Sequence, residues 1–145
     1  MRRSLSLAPI ALLLISCGQP EPANIMVSDA WARATAPGAK MGAVYATIEN
    51  RGGTSDRLTK VDSDRAMMAM VHDSSSENGV MRMRAVGPLD IPAGGSVALA
   101  PGAKHIMLEG LQTPLVAGQK FSITVTFEGS GARAVPITVV APGER

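Results

Sequence analysis

A chain of 145 residues is long enough for one domain with its own hydrophobic core and not comfortably two. Its 14 Lys and Arg against 12 Asp and Glu give a formal charge of +2, and two of those cations, Arg2 and Arg3, sit in a leader, so the remainder is neutral. A neutral body with only 3% aromatics excludes a broad electrostatic nucleic-acid surface and leaves few stacking platforms for bases.

Residues 1–16 read as a secretory signal: a short basic start, then an apolar run from Ser4 to Ile15 that is too short to span a bilayer. Leu14-Ile15-Ser16-Cys17 resembles the bacterial lipobox, in which cleavage precedes a cysteine that is then acylated. Cys17 is the only cysteine, so a thiol without an internal partner is read as the lipidation site. Gly18 rather than an aspartate follows it, which points to outer-membrane sorting. Residues 17–25 form a lipid-anchored linker, in which Gln19 to Asn24 offers nothing to bury, and residues 26–145 form the folded domain. Contact with the membrane is expected through the lipid alone. The domain itself has no thiol, which excludes a disulfide framework and zinc-thiolate, iron–sulfur and blue-copper sites.

Along the domain, 15 Gly and 10 Pro in the chain divide the sequence into short segments of period-2 or β-branched character. Gly42 to Glu49 alternates and stops at Asn50-Arg51-Gly52-Gly53, a turn signal. Strands are predicted over Arg57–Val61, Met67–His72, Val80–Val86, Ser96–Ala100 and His105–Leu108, with a short turn over Gly110–Leu115. Asp73 to Gly79 is predicted to be a hairpin loop, its Asn78-Gly79 suited to positive φ. Phe121 to Phe127 is the cleanest strand, with Phe121, Ile123, Val125 and Phe127 on one face, and it closes against Ala134–Val140 through Glu128 to Gly131. Eight or nine short strands at this spacing predict an all-β chain folded as an antiparallel β-sandwich, with Trp31 packed inside it.

Both histidines and six of the nine methionines fall between residues 67 and 107. Met68, Met70 and His72 alternate along one predicted strand, Met81 and Met83 share a face of the next, and His105 and Met107 share a face of a third. Thioether sulfur and neutral imidazole suit Cu(I), with Ag(I) as its mimic, whereas Ca²⁺ and Mg²⁺ require oxygen. Two histidines alone fall short of a zinc site. Outside the cytoplasm, thioethers also avoid the oxidation that would disable a thiolate site.

At this point the sequence resembles the periplasmic copper chaperones of the PCu(A)C family, whose pattern is His, ten residues, Met, twenty-one residues, His-x-Met. His72 and Met83 enclose ten residues, Met83 and His105 enclose twenty-one, and His105-Ile106-Met107 supplies the last element. Ala30-Trp-Ala-Arg33, Tyr45-Ala-Thr-Ile-Glu-Asn50, Gly79-Val-Met-Arg-Met-Arg84, Ile91-Pro-Ala-Gly-Gly95 and Lys104-His-Ile-Met-Leu108 extend the likeness over about residues 29 to 140. The resemblance implies a cupredoxin/immunoglobulin-like β-sandwich that binds Cu(I) through His72, Met83, His105 and Met107. It also implies a periplasmic protein that hands copper to the CuA centre of cytochrome c oxidase or to another copper-accepting protein. Relatives with extra methionines after the first histidine, or with a His/Met-rich tail, differ from this chain, which has Asp73 with three serines and ends Ala141-Pro-Gly-Glu-Arg145. A tail-borne Cu(II) site is therefore not expected.

Bland alternatives stand beside these readings. Methionine is a flexible core filler, the reading preferred for Met26, Met41 and Met67, while Met68 and Met70 are open between core and site. Met81, on the same face as Met83, is the alternative ligand. A structural or interaction β-sandwich lipoprotein without metal is the alternative function. An enzyme is not expected: His72-Asp73 and the serines after it supply triad residue types, but no nucleophile elbow, and neighbours on a strand face opposite ways.

Overall fold

The computed structural model describes residues 18–145, so the signal segment and Cys17 lie outside the described residues. Ten strands follow in chain order: β1 (Ile25–Arg33), β2 (Met41–Asn50), β3 (Asp56–Ser63), β4 (Met68–Glu77), β5 (Val80–Ala85), β6 (Leu89–Ile91), β7 (Ser96–Leu99), β8 (His105–Glu109), β9 (Lys120–Phe127) and β10 (Gly131–Val140). Among the described residues there is no helix. The turn predicted over Gly110–Leu115 is instead an irregular crossing that buries Leu111 and Leu115.

The strands run in the order β5-β4-β8-β2-β1-β10-β9-β3-β6, with β7 on β2, and a single pair, Val61 opposite Ala69, joins β3 back to β4. The result is a flattened, nearly closed β-sandwich. One pairing departs from the antiparallel expectation: β1 and β10 run parallel, with Trp31 opposite Thr138. Parallel neighbours need a long connection, and here the whole domain lies between the first strand and the last.

Alternation decides what goes inside. Val44, Ile48, Val71, Ile106 and Leu108 face Leu58, Val61, Ile123, Val125, Phe127, Ile137 and Val139 across a continuous apolar core. Each such side chain, fully withdrawn from water, contributes about 1.5–3 kcal/mol. β9 realises its predicted face, burying Ile123, Val125 and Phe127, and pairs with β10 as the expected closing hairpin. Asp56, buried at the start of β3, secures the turn of that hairpin. Its carboxylate accepts from the backbone N–H groups of Arg57 (2.7 Å), Gly129 (2.8 Å) and Ser130 (2.9 Å). Burial alone would raise its pKa, but the donors of Ser130, Gly129 and Arg57 outweigh that and hold it below the usual aspartate value.

Two strands were not legible in the sequence. β6 is only three residues long. β1 carries a bulge between Ser28 and Trp31, with Asp29 at a φ of 49°, which reverses its alternation midway. Ile25 and Val27 therefore lie opposite core-facing Asn50 and Ile48, yet Ala32 is the residue opposite Val44. Trp31 is thus turned to the outer face, against Tyr45, rather than packed between the layers.

The linker is also more ordered than its composition suggests. Glu21 and Asn24 lie along the turn after β2: Asn24 accepts from the Arg51 N–H (2.8 Å), Glu21 from the Gly53 N–H (3.2 Å), and Asn50 Oδ1 accepts from the Asn24 N–H (3.1 Å). Gly52 is required here, because a Cβ at that position would strike the Pro22 carbonyl oxygen.

Candidate metal centre

The centre is built on three neighbouring strands, β5, β4 and β8. In an antiparallel sheet, residues directly opposite each other project to the same face. His72 on β4 lies opposite His105 on β8, and Met70 opposite Met107. On the other edge of β4, His72 lies opposite Ala85 of β5, Ser74 opposite Met83, and Ser76 opposite Met81. His72, His105 and Met107 are therefore immediate neighbours on one face, and Met83 is their diagonal neighbour. Met81 lies two residues further towards the hairpin tip.

That hairpin differs in one respect from expectation. The serine run is strand, not loop: β4 continues through Ser74, Ser75 and Ser76 to Glu77, and the turn is only Asn78-Gly79, with φ of 53° and 76°. A two-residue turn of this kind matches strand twist, and it locks the register that sets Met83 closer to His72 than Met81. β5 is exposed along its length, a strand projecting from the body with Met83 at 58% and Met81 at 62% exposure.

The other candidate donors are more enclosed, with the His72 side chain at 13% exposure. His105 is 5% exposed and Met107 7%. The rise from β7 to β8 is interrupted at 100–104, where the Ala100 N–H donates to Lys104 O (2.8 Å) and the Ala103 N–H to Ala100 O (3.1 Å). This loop leans on the site: Lys104 pairs with Asp73 (3.4 Å), and the Ala103 carbonyl accepts from His105 Nδ1 (3.0 Å). With Nδ1 donating, the neutral ring keeps its lone pair on Nε2. Nδ1 of His72 is buried without a hydrogen-bond partner, and its Nε2 lies 3.8 Å from Glu109 Oε1. In the tautomer with its proton on Nε2, the Nδ1 lone pair is free for a metal.

The two imidazoles meet edge-on, centroids 6.1 Å apart and planes at 69°. Two rings sharing one metal through bonds of about 2.0–2.1 Å have centroids roughly 5–6.5 Å apart, and the separation of this pair falls in that range. Tyr45 lies 6.3 Å from His105 and stacks in turn on Trp31, which makes an aromatic wall beside the donors. Among the described residues no group of three or more His, Cys, Asp or Glu is placed to hold a metal. The candidate donors on this face are imidazole and thioether, a combination that favours soft monovalent ions over zinc or calcium.

Tyr45 and Glu109 belong to the same face, though sequence reasoning gave them no part, and Met70, which it left open between core and site, lies on that face opposite Met107. The signal for Glu109 was present: His105, Met107 and Glu109 share one parity along β8. Of the other expectations, Met26, Met41 and Met67 are exposed rather than core fillers, because each stands on an outer face or strand end.

The family model described as "Putative lipoprotein LpqE-like" matches residues 25–139. The "Putative lipoprotein Lxx21020" of Leifsonia xyli subsp. xyli is 34% identical over 148 residues, covering 94% of this chain and 88% of that protein. Among solved structures, the apo PCuAC domain from PmoF1 superposes with a TM-score of 0.70 at 26% identity, over 86% of this chain and all (100%) of that domain. The solution structure of CuI-DR1885 from Deinococcus radiodurans gives 0.66 at 27% identity, over 89% of this chain and 85% of that one.

Proposed function

The chain belongs to the LpqE-like branch of the PCuAC family, and from that premise we propose that it is a Cu(I) carrier of the cell envelope, not an enzyme. The ion is cargo, held by His72, Met83, His105 and Met107. The observation that carries the reading is the register of β4 against β8. It sets two imidazoles opposite each other, each with a lone-pair nitrogen uncommitted to protein, and Met107 two residues along the same face.

The uneven burial of the donors suggests how such a carrier works. His72, His105 and Met107 sit in the rigid sheet, whereas Met83 stands on an exposed edge strand. Cu(I) imposes little geometric preference, so a donor from an acceptor protein can replace the Met83 thioether first, while the remaining three hold the ion. Ligand exchange then proceeds from the solvent side with no moment at which the ion is free. The acceptor in this reading is the CuA centre of cytochrome c oxidase or a protein of similar copper demand. Acylation at Cys17 would hold the carrier on the periplasmic face of the outer membrane.

Anaerobic titration with Cu(I) against a chelator of known affinity tests the proposal. One tightly bound equivalent, abolished in His72→Ala/His105→Ala, is expected, as is transfer to an apo CuA domain on mixing. No bound Cu(I) would instead favour a metal-free interaction lipoprotein.

A further inference from the structure

The face that carries the histidines continues past them, one row of residues at a time, towards the opposite end of the sheet. Beyond the row of His72 and His105 comes Met70 opposite Met107, and Met107 opposite Ala43 on β2. One step further, Met68 on β4 lies opposite Glu109 on β8, and Glu109 lies opposite Met41 on β2. Three adjacent strands thus present thioether, carboxylate and thioether in a single cross-strand row.

We propose that Met41, Met68 and Glu109 form a second, peripheral site for a soft monovalent cation, Cu(I) or Ag(I), beside the His/Met centre. Met41 is 60% and Met68 51% exposed. Side chains that bury so little add almost nothing to the core, so packing does not account for them. Neighbouring strands lie about 4.8 Å apart, which sets the two methionine Cα atoms roughly 10 Å apart with Glu109 between them. Flexible thioethers reaching inwards from both sides can close on one ion above the carboxylate.

Charge points the same way. Two imidazoles and two thioethers are neutral donors and leave a bound cation uncompensated. Glu109 supplies an anion on this face, and its Oε1 lies 3.8 Å from His72 Nε2. The Glu109 carboxylate thus lies between the Met41–Met68 row and the imidazole of the main centre, four residues along β4, and its charge serves both positions. The thioethers discriminate against Ca²⁺, Mg²⁺ and Zn²⁺, and the absence of imidazole makes this the weaker of the two sites. This extends the copper reading to a second position, and the two can fail independently.

Titration of the full-length protein with Ag(I), followed through the ¹³C-labelled methionine methyl resonances, tests the proposal. Met83 and Met107 should shift with the first equivalent, and Met41 and Met68 with a second, weaker one. Met41→Leu/Met68→Leu, near-isosteric and exposed, should keep the first equivalent and lose the second. Glu109→Gln should weaken the second at least about tenfold, through loss of the adjacent negative charge. Met26→Leu, on β1 opposite Glu49, should change neither. Met41 and Met68 resonances unmoved through two equivalents, or a second equivalent retained by the double variant, would overturn the inference. Shifts at Met41 and Met68 alone, with Met83 and Met107 unmoved, would uphold this site and sink the His/Met centre.

Discussion

Alanine at position 83 separates metal binding from folding more cleanly than any other change at the centre. Met83 lies opposite Ser74, two residues along β4 from His72, and Met81 lies opposite Ser76, four residues along. At about 3.4 Å per residue and about 4.8 Å between strands, the Cα of Met83 is roughly 8 Å from that of His72 and the Cα of Met81 roughly 14 Å. One methionine side chain spans the shorter gap to a metal on the imidazole; the longer gap requires the hairpin to bend. Met83→Ala is therefore expected to weaken Cu(I) binding at least about tenfold, or about 1.4 kcal/mol, and Met81→Ala less than about threefold. Because Met83 is 58% exposed, its truncation should alter apo stability by less than about 0.5 kcal/mol. Met107→Ala offers no such separation: at 7% exposure it leaves a cavity, and losses of about 2–5 kcal/mol mix with any loss of affinity. Chelator competition ranks the affinities, and melting curves of the apo proteins on the same samples supply the control. A weaker site in Met81→Ala than in Met83→Ala would show the register argument to be wrong. Wild-type affinity in Met83→Ala, with binding still lost in His105→Ala, would remove Met83 from the ligand set.

Asp56→Asn should cost about 2 kcal/mol at neutral pH, since backbone donors at the β9–β10 turn lose a charged acceptor. The folded pKa of Asp56 is depressed, so its contribution is fully present above about pH 4 and fades as pH falls through the folded value. Melting curves of wild type and variant should therefore converge below about pH 4, and a gap independent of pH would refute this. Gly52→Ala should expel the Glu21–Asn24 segment, because the added methyl meets backbone rather than a flexible side chain. Hydrogen exchange at the Gly53 amide, which donates to Glu21 O, should accelerate, and unchanged protection would count against it. Cys17→Ala should abolish incorporation of labelled fatty acid, and equal labelling of both proteins would end the lipoprotein reading. Val125→Ala should lower apo stability by about 2 kcal/mol from lost methyl groups and the cavity they leave, with Cu(I) affinity of the folded protein unchanged.

Local pattern carried much of this protein into view. Strict alternation from Phe121 to Phe127 specified a half-buried strand and its inner face, because a period of two leaves no other way to segregate apolar from polar groups. The absence of cysteine from the domain and the clustering of imidazole and thioether narrowed the chemistry before any geometry was known, since ligand softness belongs to the residue type. Asn78-Gly79 marked a tight turn because both positions need positive φ. Other features depend on partners distant in the chain, and alternation is silent about them. The bulge at Asp29 hid β1 and turned Trp31 outwards, because parity before and after it obeys different rules. The serine run after Asp73 has no hydrophobic signature, and only its pairing with Met81, Arg82 and Met83 makes it a strand. Met41, 68 residues before Glu109 in sequence, joins it only through the pairing of β2 with β8. Sequence determined which donors exist; cross-strand register, set by core packing and a two-residue turn, decided which of them meet.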